Sequence, residues 1–164
     1  MARVGDASLP HPPPLQILEA RVIELLVSQG VTVVCAGGGG IPVLERSDGS
    51  LAGVEAVIDK DLASALLARQ LGADHLLLLT DVDRVYLGWG TDAAKAIKQA
   101  GVGALHPGDF ATGSMRPKVE AASGFAAGTG KPASIGRLQD AALVLAGDAG
   151  TRFDVETKGL VFAP

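Results

Sequence analysis

The chain has 164 residues, a formal net charge of −4 and a pI near 5.3, and 48% of its residues are hydrophobic but only 4% aromatic. This length predicts one domain with a substantial core. A core built from Ala, Val and Leu favours an α/β fold over an aromatic-rich β-sandwich, and the acidic balance argues against nucleic acid or a membrane surface as a partner.

The start of the chain differs in composition from the rest of the sequence. Residues 1–14 contain four prolines and no periodic pattern, which predicts an extended arm or linker. From Leu15 onward, apolar residues recur at helical spacing and predict a helix over residues 14–29 that ends at Gly30. The domain is expected to span residues 15–155, and residues 156–164 form a tail without a clear assignment.

Residues 31–36 are β-branched and apolar and predict a buried strand. Cys35 within this run is interpreted as a small core residue. As the single cysteine, it has no partner for an internal disulfide, which favours a reducing compartment. Neither a signal peptide nor a run long enough to span a bilayer is evident, so we expect a cytoplasmic protein.

Four consecutive glycines, Gly37, Gly38, Gly39 and Gly40, come directly after this strand. Such a loop allows backbone amides to crowd a ligand, commonly an anion, although a merely flexible loop has the same composition. It has neither the Gly-Lys-Ser/Thr ending of a Walker loop nor the spacing of a dinucleotide-binding turn. Two short apolar runs around the turn at 47–50 then predict a hairpin.

A helix is predicted over residues 60–71. Asp59 or Asp61 could simply cap it. The functional alternative is that Lys60 and Asp61 face a ligand from the N-terminus of the helix, where the helix dipole favours anions.

The sequence HLLLLTDVDRVY (75–86) combines a buried strand with polar residues. Its four leucines leave no polar face, which suits a central strand of a parallel sheet covered by helices on both sides. The apolar run stops at Thr80, Asp81, Val82 and Asp83. Open α/β sheets bind ligands outside the carboxyl ends of their strands, so the two aspartates are candidate ligand contacts; turn formation and helix capping are the alternative.

The remaining elements are less sharply marked. Residues 88–92 form a loop over the same sheet edge, residues 92–99 a short helix, and residues 101–110 an irregular segment. Beyond them, a strand over 133–135, a helix over 139–146 and a final edge strand over 151–155 are predicted. The three histidines are isolated, and their spacing predicts no metal site.

Residues 112–118 contain several residues that are typical of a helix N-terminus. Ser114 can act as the N-cap, and Pro117 fits the first turn. A lysine in the first turn opposes the helix dipole, which a purely structural design would avoid. We therefore expect Lys118 to contact an anion.

Taken together, four segments resemble the C-terminal half of a carbamate kinase, a member of the amino acid kinase family. They are AGGGGIPV (36–43), GVEAVIDKDLASALLA (53–68), LLTDVDRVYL (78–87) and FATGSMRPKVEAA (110–122). They occur in the family's order and spacing, and the similarity covers roughly residues 15–153. A glutamate or uridylate kinase is the alternative within the family, but GVEAVIDKD and GSM-x-PKVEA are typical of carbamate kinases.

The resemblance implies an α/β fold, namely a three-layer α-β-α sandwich with a mostly parallel central sheet. It implies transfer of a phosphoryl group between carbamoyl phosphate and ADP, giving carbamate and ATP, in arginine and carbamoyl phosphate catabolism. ADP or ATP, carbamoyl phosphate and Mg²⁺ would be bound, and a homodimer is expected.

It also implies roles for individual residues. Lys60 and Lys118 would neutralise charge on the transferred phosphoryl group, and Asp61 would hold the lysines in place. Such chemistry is mostly positioning and electrostatic stabilisation. The four glycines of residues 37–40 would approach the substrate side. The nucleotide pocket would be lined by Thr80, Asp81, Val82, Asp83, Tyr86, Gly113, Ser114 and Met115.

The sequence also departs from the family pattern. The resemblance does not extend to the family's N-terminal half, so we expect the chain to be impaired alone; a non-catalytic remnant that binds nucleotide or self-associates is the alternative. Arg84 and Arg116 stand where the family has glycine, and Arg116 could clash with nucleotide or add a phosphate contact. Residues 134–136 read Ser-Ile-Gly in place of the more usual Ile-Thr-Ser.

Overall fold

A computed structural model describes residues 1–4, 11–110 and 115–164 of the chain. The chain divides into two compact units, Met1–Gly72 and Ala73–Pro164, where the length predicts one domain. Each unit has its own sheet. Within the described ranges, no helix combines the length and the apolar character needed to cross a membrane.

The described part of the first unit holds a four-stranded sheet in the order β2-β1-β3-β4. Strand β1 pairs antiparallel with β2 and parallel with β3, and β3 and β4 form the antiparallel hairpin that the sequence predicts. Two α-helices complete the unit. The elements are β1 (Ala2–Val4), β2 (Pro14–Ile17), α1 (Ala20–Ser28), β3 (Pro42–Glu45), β4 (Leu51–Gly53) and α2 (Lys60–Gln70).

Helix α2 forms where the sequence predicts it. The Asp59 carboxylate caps it by accepting hydrogen bonds from the backbone N–H groups of Asp61 and Leu62 at 2.8 and 3.1 Å. The apolar face of the helix packs on β2. The core of the unit is made by Ala2, Val4, Ile17, Ile23, Ile58, Ala63, Leu66 and Leu67.

The beginning of the chain differs from the predicted arm. Ala2 and Val4 are buried in β1, which lies between two strands of the sheet. Residues 14–17 form β2, so the helix predicted from residue 14 begins only at Ala20. The physical reason is that proline is tolerated at strand ends, so a proline-rich run is compatible with short strands as well as with a linker.

Two predicted burial patterns in this unit are wrong. In α1 only Ile23 is buried, while Val22 and Leu25 are 60% and 61% exposed. Residues 31–36 form no strand among the described residues; Val34 is 98% exposed, and Cys35 is exposed instead of in the core. A pattern of apolar residues predicts which face of a segment favours burial, but it does not show whether another element packs on that face.

The described part of the second unit contains a sheet in the order β10-β7-β9-β8-β5, with β6 paired to β7. Helix α3 packs against β5, β8 and β9, and α4 packs against β5 and β8. The elements are β5 (Leu76–Thr80), β6 (Val85–Leu87), β7 (Lys95–Gly101), α3 (Met115–Thr129), β8 (Ala133–Arg137), α4 (Ala141–Ala146), β9 (Thr151–Asp154) and β10 (Leu160–Phe162).

The strand pairing in this sheet is mixed. Strand β5 pairs parallel with β8, and β7 pairs parallel with β9, whereas β8 and β9, β6 and β7, and β7 and β10 are antiparallel. The α/β class is as predicted, but in the described residues antiparallel pairs outnumber the expected parallel ones. Strand β5 lies at the edge of this sheet and not at its centre.

Three further assignments differ from the sequence prediction. The helix predicted over residues 92–99 is largely the strand β7, whose Ile97 is fully buried. The expected edge strand β9 lies inside the sheet, between β7 and β8. The tail contains β10, which pairs with β7. Lys95 and Lys98 are three residues apart, a spacing that would put both on one face of a helix. The segment is a strand instead, because β7 pairs with strands that are distant in the sequence.

Candidate functional site

A cavity of about 360 Å³ opens at the carboxyl end of β5 in the second unit. Thr80 and Asp81 enter it from the end of the strand, as the sequence predicts for residues at this edge. Its walls combine carboxylates, aromatic rings and one guanidinium group. The cavity is lined by Thr80, Asp81, Val82, Arg84, Tyr86, Gly88, Trp89, Asp109, Phe110 and Met115.

Hydrogen bonds fix the turn after β5. The Thr80 hydroxyl donates to the Asp81 carboxylate at 3.0 Å. The Tyr86 hydroxyl donates to the Asp83 carboxylate oxygens at 3.1 and 3.2 Å. Partial burial and then this hydrogen bond raise the pKa of Tyr86 above its usual value of 10.0. Asp83 is thus a support for the cavity wall, while Asp81 is exposed and faces solvent.

Two aromatic rings form one wall of the cavity. The rings of Tyr86 and Trp89 meet edge to face, with centroids 4.9 Å apart and planes inclined by 61°. Trp89 is 67% exposed, so most of its ring is available to a planar ligand. Gly88 has φ +65°, and the Thr91 hydroxyl donates to its carbonyl at 2.8 Å. This turn brings Trp89 back to the cavity.

A second cavity, of about 650 Å³, adjoins the ends of β5 and β8 and shares Thr80 and Asp81 with the first. Arg137, Gln139 and Asp140 contribute its polar groups. Thr80 and Asp81 therefore separate two concave surfaces at one edge of the sheet.

Lys118 lies in the first turn of α3 and is 5% exposed. A buried ammonium group is costly unless partners compensate for its lost hydration, and Lys118 does have such an interaction. Met115, at the start of the same helix, lines the first cavity, and Arg116 is exposed. Gly113 and Ser114 lie outside the described residues.

In the first unit, the glycine loop packs against the segment that precedes α2. Gly39 has φ +90°, and a Cβ there would lie 2.1 Å from the Ile58 carbonyl oxygen, so only glycine fits. Lys60 is exposed at the first position of α2, and Asp61 beside it is buried. The structure thus brings the glycine loop close to the start of the helix that carries Lys60 and Asp61.

Six predicted nucleotide-site residues fall at the first cavity or support it: Thr80, Asp81, Val82, Tyr86 and Met115 line it, and Asp83 accepts a hydrogen bond from Tyr86. Of these, Met115 belongs to α3. Sequence reasoning missed Asp109 and Phe110 and took Trp89 only as a loop residue. A tryptophan between two glycines is the signal in the sequence that could have identified Trp89 as a candidate cavity residue.

Within the described residues, no group of three or more His, Cys, Asp or Glu side chains is arranged to hold a metal ion. The described carboxylates at the first cavity are those of Asp81 and Asp109, and carboxylate oxygens are ligands that a hard cation takes.

Comparison with known proteins identifies the class. The Amino acid kinase family matches residues 3–137, which is most of the chain. The chain belongs to the amino acid kinase family, and the α/β fold that the sequence predicts is confirmed.

Among its relatives, the chain is similar to carbamate kinases. It is 54% identical over 140 residues to the carbamate kinase of Escherichia coli O6:H1, covering 85% of this chain and 46% of that enzyme. It is 47% identical over 154 residues to the carbamate kinase of Haemophilus influenzae, covering 94% of this chain and 50% of that protein. The chain therefore spans about half the length of these relatives.

Solved structures give the same result. The carbamate kinase from Giardia lamblia bound to AMP-PNP superimposes with a TM-score of 0.85 at 40% identity, covering 89% of this chain and 52% of that one. The resemblance to carbamate kinases that the sequence motifs indicate is confirmed.

Proposed function

We propose that this chain carries the nucleotide-binding half of a carbamate kinase-like phosphotransferase. The reaction moves a phosphoryl group from carbamoyl phosphate to ADP, giving carbamate and ATP, within arginine and carbamoyl phosphate catabolism in the cytoplasm. The observation that carries this proposal is the cavity at the end of β5. It is lined by Thr80, Asp81, Val82 and Tyr86 of the TDVD-x-VY motif, in a chain that is 54% identical over 140 residues to a carbamate kinase.

The nucleotide is assigned to the first cavity. Its volume of about 360 Å³ lies in the range of small-molecule sites, and it combines apolar walls with a few polar groups. The related Giardia enzyme binds AMP-PNP, which supports an adenine nucleotide as the ligand. Gly113 and Ser114 remain predicted contacts of this nucleotide.

The phosphoryl group is assigned to the lysines. Phosphoryl transfer depends on positioning and on stabilising charge that develops on the equatorial oxygens. Lys60 stands at a helix N-terminus, where the dipole also favours an anion. Lys118 is buried, so its charge is poorly screened by water. As the family resemblance implies, Asp61 would hold the lysines in place, and the glycines of residues 37–40 would approach the substrate.

Magnesium would arrive with the nucleotide. Mg²⁺ in kinases is held by one or two carboxylates and the substrate phosphates, not by a cage of protein ligands. The exposed Asp81 carboxylate at the cavity fits this requirement. When bound, the ion neutralises charge on the phosphate oxygens.

Calorimetric titration with ADP and Mg²⁺ tests the nucleotide site. We expect saturable binding that weakens in Asp81→Asn and persists in Lys98→Met, which removes an exposed charge from β7. Production of ATP from ADP and carbamoyl phosphate tests the reaction; we expect a slow rate that Lys118→Met abolishes. Absence of ADP binding in the unmodified chain contradicts the proposal.

A second function, a non-catalytic interaction protein that self-associates, is favoured by one observation. Val22, Leu25 and Val34 are exposed on α1 and the segment after it. Large exposed apolar surfaces mark interaction sites. Sedimentation velocity separates the cases: a dimer without ADP binding supports this second function, a dimer that binds ADP agrees with the first, and a monodisperse monomer counts against self-association.

A further inference from the structure

Arg84 follows Asp83 in the TDVD-x-VY segment, and the structure gives it a defined place. Its guanidinium Nη1 donates to the carbonyl oxygen of Gly150. The backbone N–H of the next residue, Val85, donates to the Thr151 hydroxyl at 2.9 Å. Two consecutive residues after the Asp83 turn are therefore joined to two consecutive residues at the start of β9.

The acceptor of this bond is held firmly. Gly150 has φ +73°, and a Cβ there would lie 2.7 Å from the Ile135 carbonyl oxygen, so the backbone at this point is packed directly on β8. Thr151 is fully buried, and its hydroxyl donates to the Ile97 carbonyl. Arg84 is thus anchored to the interior of the sheet, which reduces the conformational entropy that it would lose on binding a ligand.

The charge of Arg84 distinguishes it from the other groups of the cavity. Of the described residues that line the cavity, Asp81 and Asp109 are acidic and Arg84 is the one basic residue. A guanidinium has five N–H donors in a rigid fork that matches phosphate oxygens, and the bond to Gly150 does not use them all. Asp81 and Asp109 repel an anion unless a cation compensates.

We propose that Arg84 is a specificity-determining residue that binds the phosphate chain of a nucleoside diphosphate in this cavity. The inference rests on the proposed nucleotide site. It assigns a cationic contact to a cavity whose other charged lining residues among those described, Asp81 and Asp109, are acidic. In this proposal Arg84 binds the phosphate through guanidinium N–H groups that are not used in its hydrogen bond to the Gly150 carbonyl.

The test compares ADP with adenosine, which has the same base and ribose but no phosphate. Trp89 is the single tryptophan of the chain and lines the cavity, so its fluorescence reports binding of either ligand. We expect Arg84→Gln to weaken ADP binding by about tenfold or more and to leave adenosine binding within about twofold, because only a charge-assisted bond is lost. Arg84→Lys should recover part of the ADP affinity.

Arg137→Gln is the matched control, because Arg137 is an exposed arginine at the adjoining cavity. It should change ADP affinity by no more than about twofold at physiological salt, because Arg137 does not line the first cavity and its exposed charge is screened. Equal losses for ADP and adenosine in Arg84→Gln, or an unchanged ADP affinity, would overturn the role of Arg84. Failure of the unmodified chain to bind ADP would instead overturn the nucleotide site itself.

Discussion

The Tyr86 hydroxyl donates a hydrogen bond to the Asp83 carboxylate, with oxygen–oxygen distances of 3.1 and 3.2 Å. Both residues belong to the TDVD-x-VY motif, but they have different tasks. Tyr86 lines the cavity and contacts Trp89, whereas Asp83 holds the Tyr86 hydroxyl through this hydrogen bond. The motif therefore supplies part of the cavity wall together with the residue that supports it.

Loss of the hydrogen bond between Tyr86 and Asp83 should lower the stability of the folded chain. In Tyr86→Phe the ring remains but the hydrogen bond is lost, and we expect the free energy of unfolding to fall by about 1 kcal/mol at pH 8. Because the pKa of Tyr86 is raised above 10.0, this contribution is present below pH 10.0 and disappears as the pH rises through the pKa of the folded state. Urea denaturation of both proteins across this range measures the difference, and equal stabilities at pH 8 would contradict the expectation.

Gly39 and Gly38 provide an internal comparison within the glycine loop. Both have positive φ, +90° and +68°, so alanine is strained at either position. Only at Gly39 does a Cβ meet an obstacle, the Ile58 carbonyl oxygen at 2.1 Å; at Gly38 nothing lies within 4 Å. We expect Gly39→Ala to destabilise the chain by about 3 kcal/mol or more and Gly38→Ala by about 1 kcal/mol.

Thermal unfolding followed by circular dichroism distinguishes the two glycine variants. A similar small loss for both would show that the loop moves away from Ile58 at little cost. In that case the glycine loop would not be fixed against the start of α2.

The second unit shows what sequence patterns could and could not predict. The four leucines of β5 and the polar residues after them located the cavity correctly, because a buried strand must end where polar residues begin. Trp89 and Phe110 were missed as site residues because they reach the cavity only when the chain folds back through β6 and β7. That pairing depends on contacts between distant residues, which a local pattern does not contain.

The first unit shows a different limit. Residues 31–36 have the composition of a buried strand, yet Val34 is almost fully exposed and no described strand pairs with them. Strand propensity measures how well a residue fits a pleated, half-buried surface, so it has no effect without a neighbouring strand. In contrast, α2 was predicted well because its cap and its apolar face are both local in sequence.

The cap of α2 leads to a third prediction. Asp59 accepts two backbone hydrogen bonds at the N-terminus of the helix that carries Lys60 and Asp61. Asp59→Ala should lower the free energy of unfolding by about 1 kcal/mol, and Asp59→Asn by only a few tenths, because asparagine also caps helices. Asp48→Ala is the control, since Asp48 accepts one such bond in an exposed turn outside any helix. Urea denaturation in which Asp59→Ala and Asp48→Ala lose equal stability would exclude a special role for the cap.

We expect His75, the residue before β5, to make the stability of the second unit depend on pH. Its Nε2 lies 3.0 Å from the Ser134 hydroxyl. Burial, followed by the positive charge of Arg152, lowers the pKa of His75 below its usual value of 6.5. The unfolded chain therefore takes up a proton at a higher pH than the folded chain does, and stability contributed by neutral His75 is lost as the pH falls below about 6.5.

We expect the free energy of unfolding to decrease between about pH 7 and 5 and to decrease less in His75→Gln, whose amide can still reach Ser134 but does not titrate. His106→Gln, which makes the same change at an exposed histidine of the same unit, is the control variant. The comparison isolates His75 because carboxylates that also titrate in this range are common to all three proteins. A wild-type slope in His75→Gln, or the same slope in both variants, would show that the pH dependence does not come from proton uptake at His75.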